Sequence, residues 1–181
     1  MMDTITIRNA TLQDAVGYIL LIGEILREVP PVDTPYNADE FNPGVDRIRL
    51  RILEATQTPN SCFLVAVEPA QNRIIGSLTC AGGTLKADRH VTTLGIYIAK
   101  PWRNQGVGSQ LMCEGMTWAK KNPLIQRVEL DVSTRNTNAI TLYEKFNFVN
   151  EGVKRQMYFR HNTWIDMMFM AWIKDPSLHE K

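Results

Sequence analysis

Several biases that would settle a function at once are missing from these 181 residues. Charge is balanced: 20 Lys and Arg stand against 19 Asp and Glu, so no overall field gathers nucleic acid or an anionic membrane. Long apolar runs are absent, since Tyr18 to Ile22 and Met167 to Ile173 fall far short of the ~20 residues a membrane span needs. The opening MMDTITIRNA has no basic stretch leading into an apolar one, so no secretory signal is expected. Cysteine is scarce: Cys62, Cys80 and Cys113 include no C-x-x-C pair, and free buried thiols in a reducing compartment are the expectation. No metal site is expected. No repeat, low-complexity tract or linker divides the chain, which reads as one soluble, cytoplasmic domain over residues 1–181.

What is present is ordinary in amount and informative in order. A hydrophobic fraction of 44% and a charged fraction of 22% suffice for a buried core. Residues 4–8 (TITIR) alternate like a strand. Thr11 with Asp14 reads as a helix start, followed by apolar residues at Leu12, Val16, Ile19, Leu20, Gly23 and Leu26 until Pro30 and Pro31. The stretch from Pro30 to Pro43 is a loop, and residues 44–56 a second helix with Val45, Ile48, Leu50, Ile52 and Leu53 on its apolar face. Strands follow at 62–67, 74–81 and 91–99. A helix spans 106–121, a strand 125–132, a helix 136–146 and a short strand 148–153. Residues 157–160 and 164–172 form a final hairpin around His161-Asn162. The order predicts an α/β fold with a mixed, mostly antiparallel sheet flanked by helices.

The chemistry is carried by LGIYIAKPWRNQGVGSQLM, residues 94–112. A strand runs into a loop bearing Arg103, Gly106 and Gly108, and a helix begins at the glycines. Unpaired N–H groups and the positive end of the dipole favour an anion at such a helix start. The glycines remove side chains that would keep a phosphate from the backbone, and Arg103 adds a cation. Three phosphate-binding patterns compete. The P-loop string G-x-x-x-x-G-K-[ST] does not occur. A dinucleotide fingerprint fits partly, with Glu129 and Asp131 on the next strand, but Leu111 stands where its third glycine belongs.

The third pattern fits best. Arg103-Asn104-Gln105-Gly106-Val107-Gly108 resembles the [QR]-x-x-G-x-[GA] motif of the GNAT superfamily of N-acetyltransferases. Asn104 departs from the glycine many members carry there. Residues 130–152 (LDVSTRNTNAITLYEKFNFVNEG) are similar to the family's following strand–helix–strand segment, through Asn136 or Asn138, Ala139, Leu142-Tyr143 and Asn147-Phe148. Asn147 replaces a usual glycine and is the next-best residue for a left-handed cap. The resemblance covers about residues 60–173, and the first two helices match in order and length.

This resemblance implies acetyl-CoA as co-substrate and a primary amine, on a small molecule or a protein, as acceptor. Its cofactor-binding positions fall on Ile96, Tyr97 and Ile98 through their main chain, on Arg103, Asn104, Gln105, Gly106, Val107 and Gly108, and on Asn138. Tyr143 takes the role of the acid that protonates the departing thiolate. The catalytic base stays open: the strand over 91–99 has Thr92 and Thr93 where relatives carry Glu, and Asp88, His90, Glu129, Asp131 or water are the alternatives. Trp102, Tyr97, Tyr158 and Trp164 are candidates to line the acceptor pocket. A non-catalytic acyl-CoA-binding module is the competing function, and a homodimer paired through a sheet edge is one expectation for assembly.

Overall fold

A computed structural model describes residues 5–175. Its centre is a seven-stranded sheet with strand order β1-β2-β3-β4-β5-β7-β6. The strands are β1 (Thr6–Asn9), β2 (Cys62–Glu68), β3 (Arg73–Gly82), β4 (Val91–Ile98), β5 (Arg127–Ser133), β6 (Val149–Arg160) and β7 (Thr163–Ile173). Thr4, expected to open the first strand, lies outside the described residues. Every neighbouring pair is antiparallel except β4 and β5. Such a sheet is the mixed, mostly antiparallel one predicted. It excludes the doubly wound parallel sheet that a dinucleotide fold requires.

Helices cover both faces. α1 (Ala15–Leu26) and α2 (Val45–Gln57) share one core with Phe63, Val65, Val67 and Ile74. α3 (Val107–Lys121) and α4 (Thr137–Lys145) share another with Leu78, Leu94, Leu130 and Trp172. At the start of α1, Asp14 accepts the Thr11 N–H at 2.7 Å and the Thr11 hydroxyl at 2.9 Å, and Arg8 closes on both its oxygens.

The face that α1 buries differs from the stripe expected. Ala15, Tyr18, Leu21, Ile22 and Ile25 are buried, whereas Leu12, Val16 and Leu20 are 43%, 50% and 61% exposed. This helix is apolar nearly all round, so periodicity alone does not choose a face. Contact with β3 chooses it: a Cβ added at Gly17 would lie 2.9 Å from the Ile74 side chain, so the helix packs closest there. On α2, Ile48 and Ile52 face the core, and Leu50 and Leu53 of the predicted stripe point to solvent. Cys62 and Cys80 are buried as expected, while Cys113 is exposed.

The last two strands also correct the sequence reading. Residues 149–153 and 157–160 belong to one strand, β6, broken by irregularities after Asn150 and after Lys154, and Phe148 stands just before it. The Gln156 N–H is taken by Asp166 at 2.7 Å, which ties the second irregularity to β7. The turn falls at His161-Asn162 as predicted, with φ of 48° and 56°. Two consecutive left-handed residues give the twist that a two-residue hairpin needs.

One feature of the sheet positions everything that follows. The parallel ladder between β4 and β5 pairs Val91 to Thr93 with Arg127 to Glu129 and then stops. Beyond it, Leu94–Ile98 and Leu130–Ser133 diverge, opening a seam in the middle of the sheet. Gly95 to Ile98 are consequently only partly buried, although they sit on a central strand.

Candidate active site

The loop after β4 ends in two residues with positive φ, Asn104 at 59° and Gly106 at 85°. Asn is the side chain best able to share the left-handed region with glycine, so the departure at Asn104 preserves the backbone path. α3 then begins with no side-chain cap. The first helical N–H to find an acceptor is that of Gln110, on Gly106 O at 3.0 Å, so the N–H groups of the first turn stay free. They face an open groove of about 350 Å³. One wall is Asn104, Gly106, Gly108 and Ser109; the other is Asn138, Thr141, Leu142 and Lys145 from α4. Gly108 sits at a close contact between the helices, since an added Cβ would lie 3.2 Å from the Leu142 side chain.

Not every predicted residue reaches this groove. Arg103 turns away from it: its terminal nitrogens bind both carboxylate oxygens of Glu28 at 2.7 and 2.6 Å, and its Nε donates to Ile98 O at 2.9 Å. Gln105 donates to Pro101 O, and Val107 is buried in the core. Asn136 caps α4 by accepting the Ala139 N–H at 3.2 Å, which leaves Asn138 as the asparagine on the groove. The groove's cation is instead Lys145. Its signal in the sequence was only that of a lysine ending a helix, because nothing there revealed that α4 lies beside the start of α3.

At the seam the two faces of the sheet communicate. Ile96 and Ile98 pack toward the α3 and α4 core, and Tyr97 toward the α1 and α2 core. Tyr143 of α4 is buried, and its hydroxyl makes no hydrogen bond among the described residues. Burial, reinforced by Tyr97, pushes that phenol well above the ordinary tyrosine range, so it keeps its proton. Burial likewise pushes Tyr97 up to about 12, with Tyr18, Tyr36 and Tyr158 adding to the effect and Arg51 opposing it.

The open candidates for a base do not gather there equally. His90 and Asp88 precede β4, at the end opposite Ile98, roughly 25 Å away along an eight-residue strand. Thr92 is buried with its hydroxyl unpartnered on the α3 side, and Thr93 is exposed. Glu129 pairs with Arg127, and Asp131 with Lys154. Trp102 packs at the loop between the two cores, whereas Trp164 lies tilted against Phe159 at the hairpin tip. Among the described residues there is no cluster of metal-ligating side chains and no helix long and apolar enough to cross a membrane.

Free N–H groups, a lysine and a seam with unpaired strand edges fit an anionic ligand with an extended arm. Comparison with known proteins gives the family and the fold. The model of the Acetyltransferase (GNAT) family matches residues 26–148. An L-amino acid N-acetyltransferase of Escherichia coli is 32% identical over 101 residues, covering 56% of this chain and 62% of that protein, so the match spans less than two thirds of the relative. The crystal structure of a GNAT acetyltransferase from Streptococcus pneumoniae superposes with a TM-score of 0.87 at 26% identity, covering 94% of this chain and 99% of that one. The Salmonella typhimurium yncA structure, solved with its cofactor acetyl-CoA, has a TM-score of 0.80 at 18% identity, covering 98% and 96%.

Proposed function

The chain belongs to the GNAT acetyltransferase family, and from that premise we propose that it transfers an acetyl group from acetyl-CoA to a primary amine. The observation that carries the proposal is the seam. It joins the free N–H groups at the start of α3, on one face of the sheet, to Tyr97, which packs into the α1 and α2 core on the other.

Acetyl-CoA supplies an activated acyl group as a thioester and an anionic pyrophosphate by which it is held. We assign the main-chain N–H groups of Val107, Gly108 and Ser109 to the phosphate oxygens, with Lys145 adding charge and Asn138 a side-chain amide, a reading supported by the groove these elements line. The strand edge over Ile96 to Ile98, past the end of the ladder to β5, offers backbone groups to the extended arm, and a main-chain N–H there polarises the acyl carbonyl. Tyr143 holds its proton until the sulfur departs and then protonates it.

We read the whole chain as one N-acetyltransferase domain. A cytoplasmic setting is supported by Cys62 and Cys80, register partners on β2 and β3 that remain unbridged. A homodimer through the outer edge of β6, where Val149, Val153 and Met157 are exposed, is the assembly to test by size exclusion.

The first experiment is a thermal melt with acetyl-CoA, NAD and ATP, followed by thiol release with a panel of amines. A ligand that binds only the folded state raises the midpoint with its concentration. A shift with acetyl-CoA alone, and thiol released only when an amine is present, is the expected result. Binding without turnover would leave an acyl-CoA-binding module, and a shift with NAD alone would overturn the reading.

A further inference from the structure

An amine is cationic at neutral pH and attacks only after losing a proton, so the acceptor side of the seam needs an anion with an open oxygen. Most nearby carboxylates are already engaged. Glu129 is held by Arg127, Asp131 gives both oxygens to Lys154, and Glu28 gives both to Arg103. The loop between α1 and α2 supplies one placed otherwise. Asp33 Oδ2 accepts the Ser133 hydroxyl at 2.6 Å, and its Oδ1 has no partner among the described residues.

Ser133 tells where this oxygen stands. Thr93 and Glu129 are register partners, and counting by twos from them sets Tyr97 and Ser133 on the same face. Carried past the end of the ladder, that register sets them at the same level on the two strands that flank the opened seam. Ser133 is buried and Asp33 half-buried, so the bond brings this carboxylate in beside the end of β5 that flanks the seam. Arg160 holds it there. This buried guanidinium donates to the carbonyls of Val32 at 3.1 Å and Thr34 at 2.7 Å, the residues either side of Asp33, and to Asn37 Oδ1 at 3.0 Å. It grips the main chain and not the carboxylate, so the loop is fixed while the charge stays available.

Building on the acetyl-transfer reading above, we infer that Asp33 is the acceptor-side base, the group that receives the cationic amine at the seam and takes its proton. The ammonium gives one proton to Asp33 as its nitrogen forms the C–N bond to the acyl carbon and the C–S bond breaks. Tyr143 protonates the departing sulfur and is reprotonated by the second N–H of the new amide nitrogen. The products are the N-acetyl amine and free thiol, and Asp33 returns one proton to solvent. Arg160 is a positioning residue in this scheme, acting through Asp33.

The test uses two kinds of nucleophile, because only a cationic one needs the anion. Thiol release from acetyl-CoA is measured for the parent and for Asp33→Asn, with the L-amino acids and n-butylamine as cationic acceptors and hydroxylamine as one uncharged at neutral pH. The uncatalysed rate is subtracted. Asn keeps an oxygen for Ser133 and so preserves the loop. We expect kcat/KM for the cationic amines to fall about a hundredfold or more, while that for hydroxylamine falls less than about threefold. The KM for acetyl-CoA and the melting midpoint should hold, and Arg160→Lys should show the same split in weaker form. Equal loss with both kinds of nucleophile, or no loss with the cationic ones, overturns the inference. A parent that uses hydroxylamine but no cationic amine also overturns it. A parent that releases no thiol with any nucleophile removes the acetyl-transfer reading itself, and Asp33's role with it.

Discussion

Arg103 and Glu28 bind each other through both carboxylate oxygens, and the Arg103 Nε adds a bond to the carbonyl of Ile98. One side chain thus joins the segment after α1, the end of β4 and the loop that leads into α3. The Glu28 carboxylate is nearly enclosed, so the pair sits where water screens it weakly.

Breaking that pair should register in stability before it registers in cofactor affinity. Glu28→Gln is expected to cost about 1–3 kcal/mol in a denaturant melt, discounted because the Arg103 side chain is a third exposed. Arg103→Gln should change the dissociation constant for CoA by no more than about threefold. A tenfold loss of CoA affinity at unaltered stability would return Arg103 to direct phosphate contact.

Lys145 carries the complementary expectation. Lys145→Ala should weaken CoA binding by about 3–10-fold at low salt, and the gap should narrow as salt screens an exposed charge. Titration calorimetry at two ionic strengths reads both effects. A salt-independent result would mean that the lysine does not meet phosphate.

Tyr143→Phe removes only a hydroxyl that makes no hydrogen bond among the described residues. Folding stability and CoA affinity should therefore hold, while kcat drops about a hundredfold. A variant with full turnover would make Tyr143 a core aromatic tilted against Phe148 and nothing more.

Gly106→Ala tests the backbone path. At φ of 85° an added Cβ is strained even though the space around it is open, which costs about 1–2 kcal/mol. Relief of that strain turns the free N–H groups out of line, so CoA affinity should fall together with stability. Separate behaviour of the two readouts would show that the conformation at Gly106 is not what aligns the donors.

At the opposite end of the chain's design, Asp14 predicts a pH dependence. Burial raises its pKa, but the bonds from Arg8 and Thr11 outweigh that and set it below the ordinary carboxylate value. A depressed folded pKa means stability that is present above the unfolded pKa and lost as pH falls through the folded one. Asp14→Asn should cost about 2 kcal/mol at neutral pH, and its deficit against the parent should shrink below about pH 4. Melts across that range measure it.

Local rules made much of this legible. Asn104, Gly106, Asn147, His161 and Asn162 all adopt the left-handed backbone that their residue types suggested or allowed. The anion-favouring helix start at Gly106 was readable because a strand, a glycine and a helical pattern are contiguous. What escaped depended on distant segments meeting. The buried face of α1 was set by Gly17 against Ile74, a contact no periodicity contains. Arg103 was read as a free cation because Glu28 lies 75 positions away. Asp33 passed unnoticed in a proline-rich loop, since its partner Ser133, and Arg160 that grips the residues on either side of it, are 100 and more residues downstream.

The helix start at Gly106 has a consequence for how such a protein can change over time. A cradle made of main-chain N–H groups is indifferent to most side-chain substitutions, provided the few left-handed positions keep Gly or Asn. The opposite side of the seam is assembled from single side chains on a loop, two strands and a hairpin end, so one substitution there alters what is admitted. Sequence drift should therefore spare one half of the reaction and retune the other, and a shared fold at 18% identity is what that asymmetry permits.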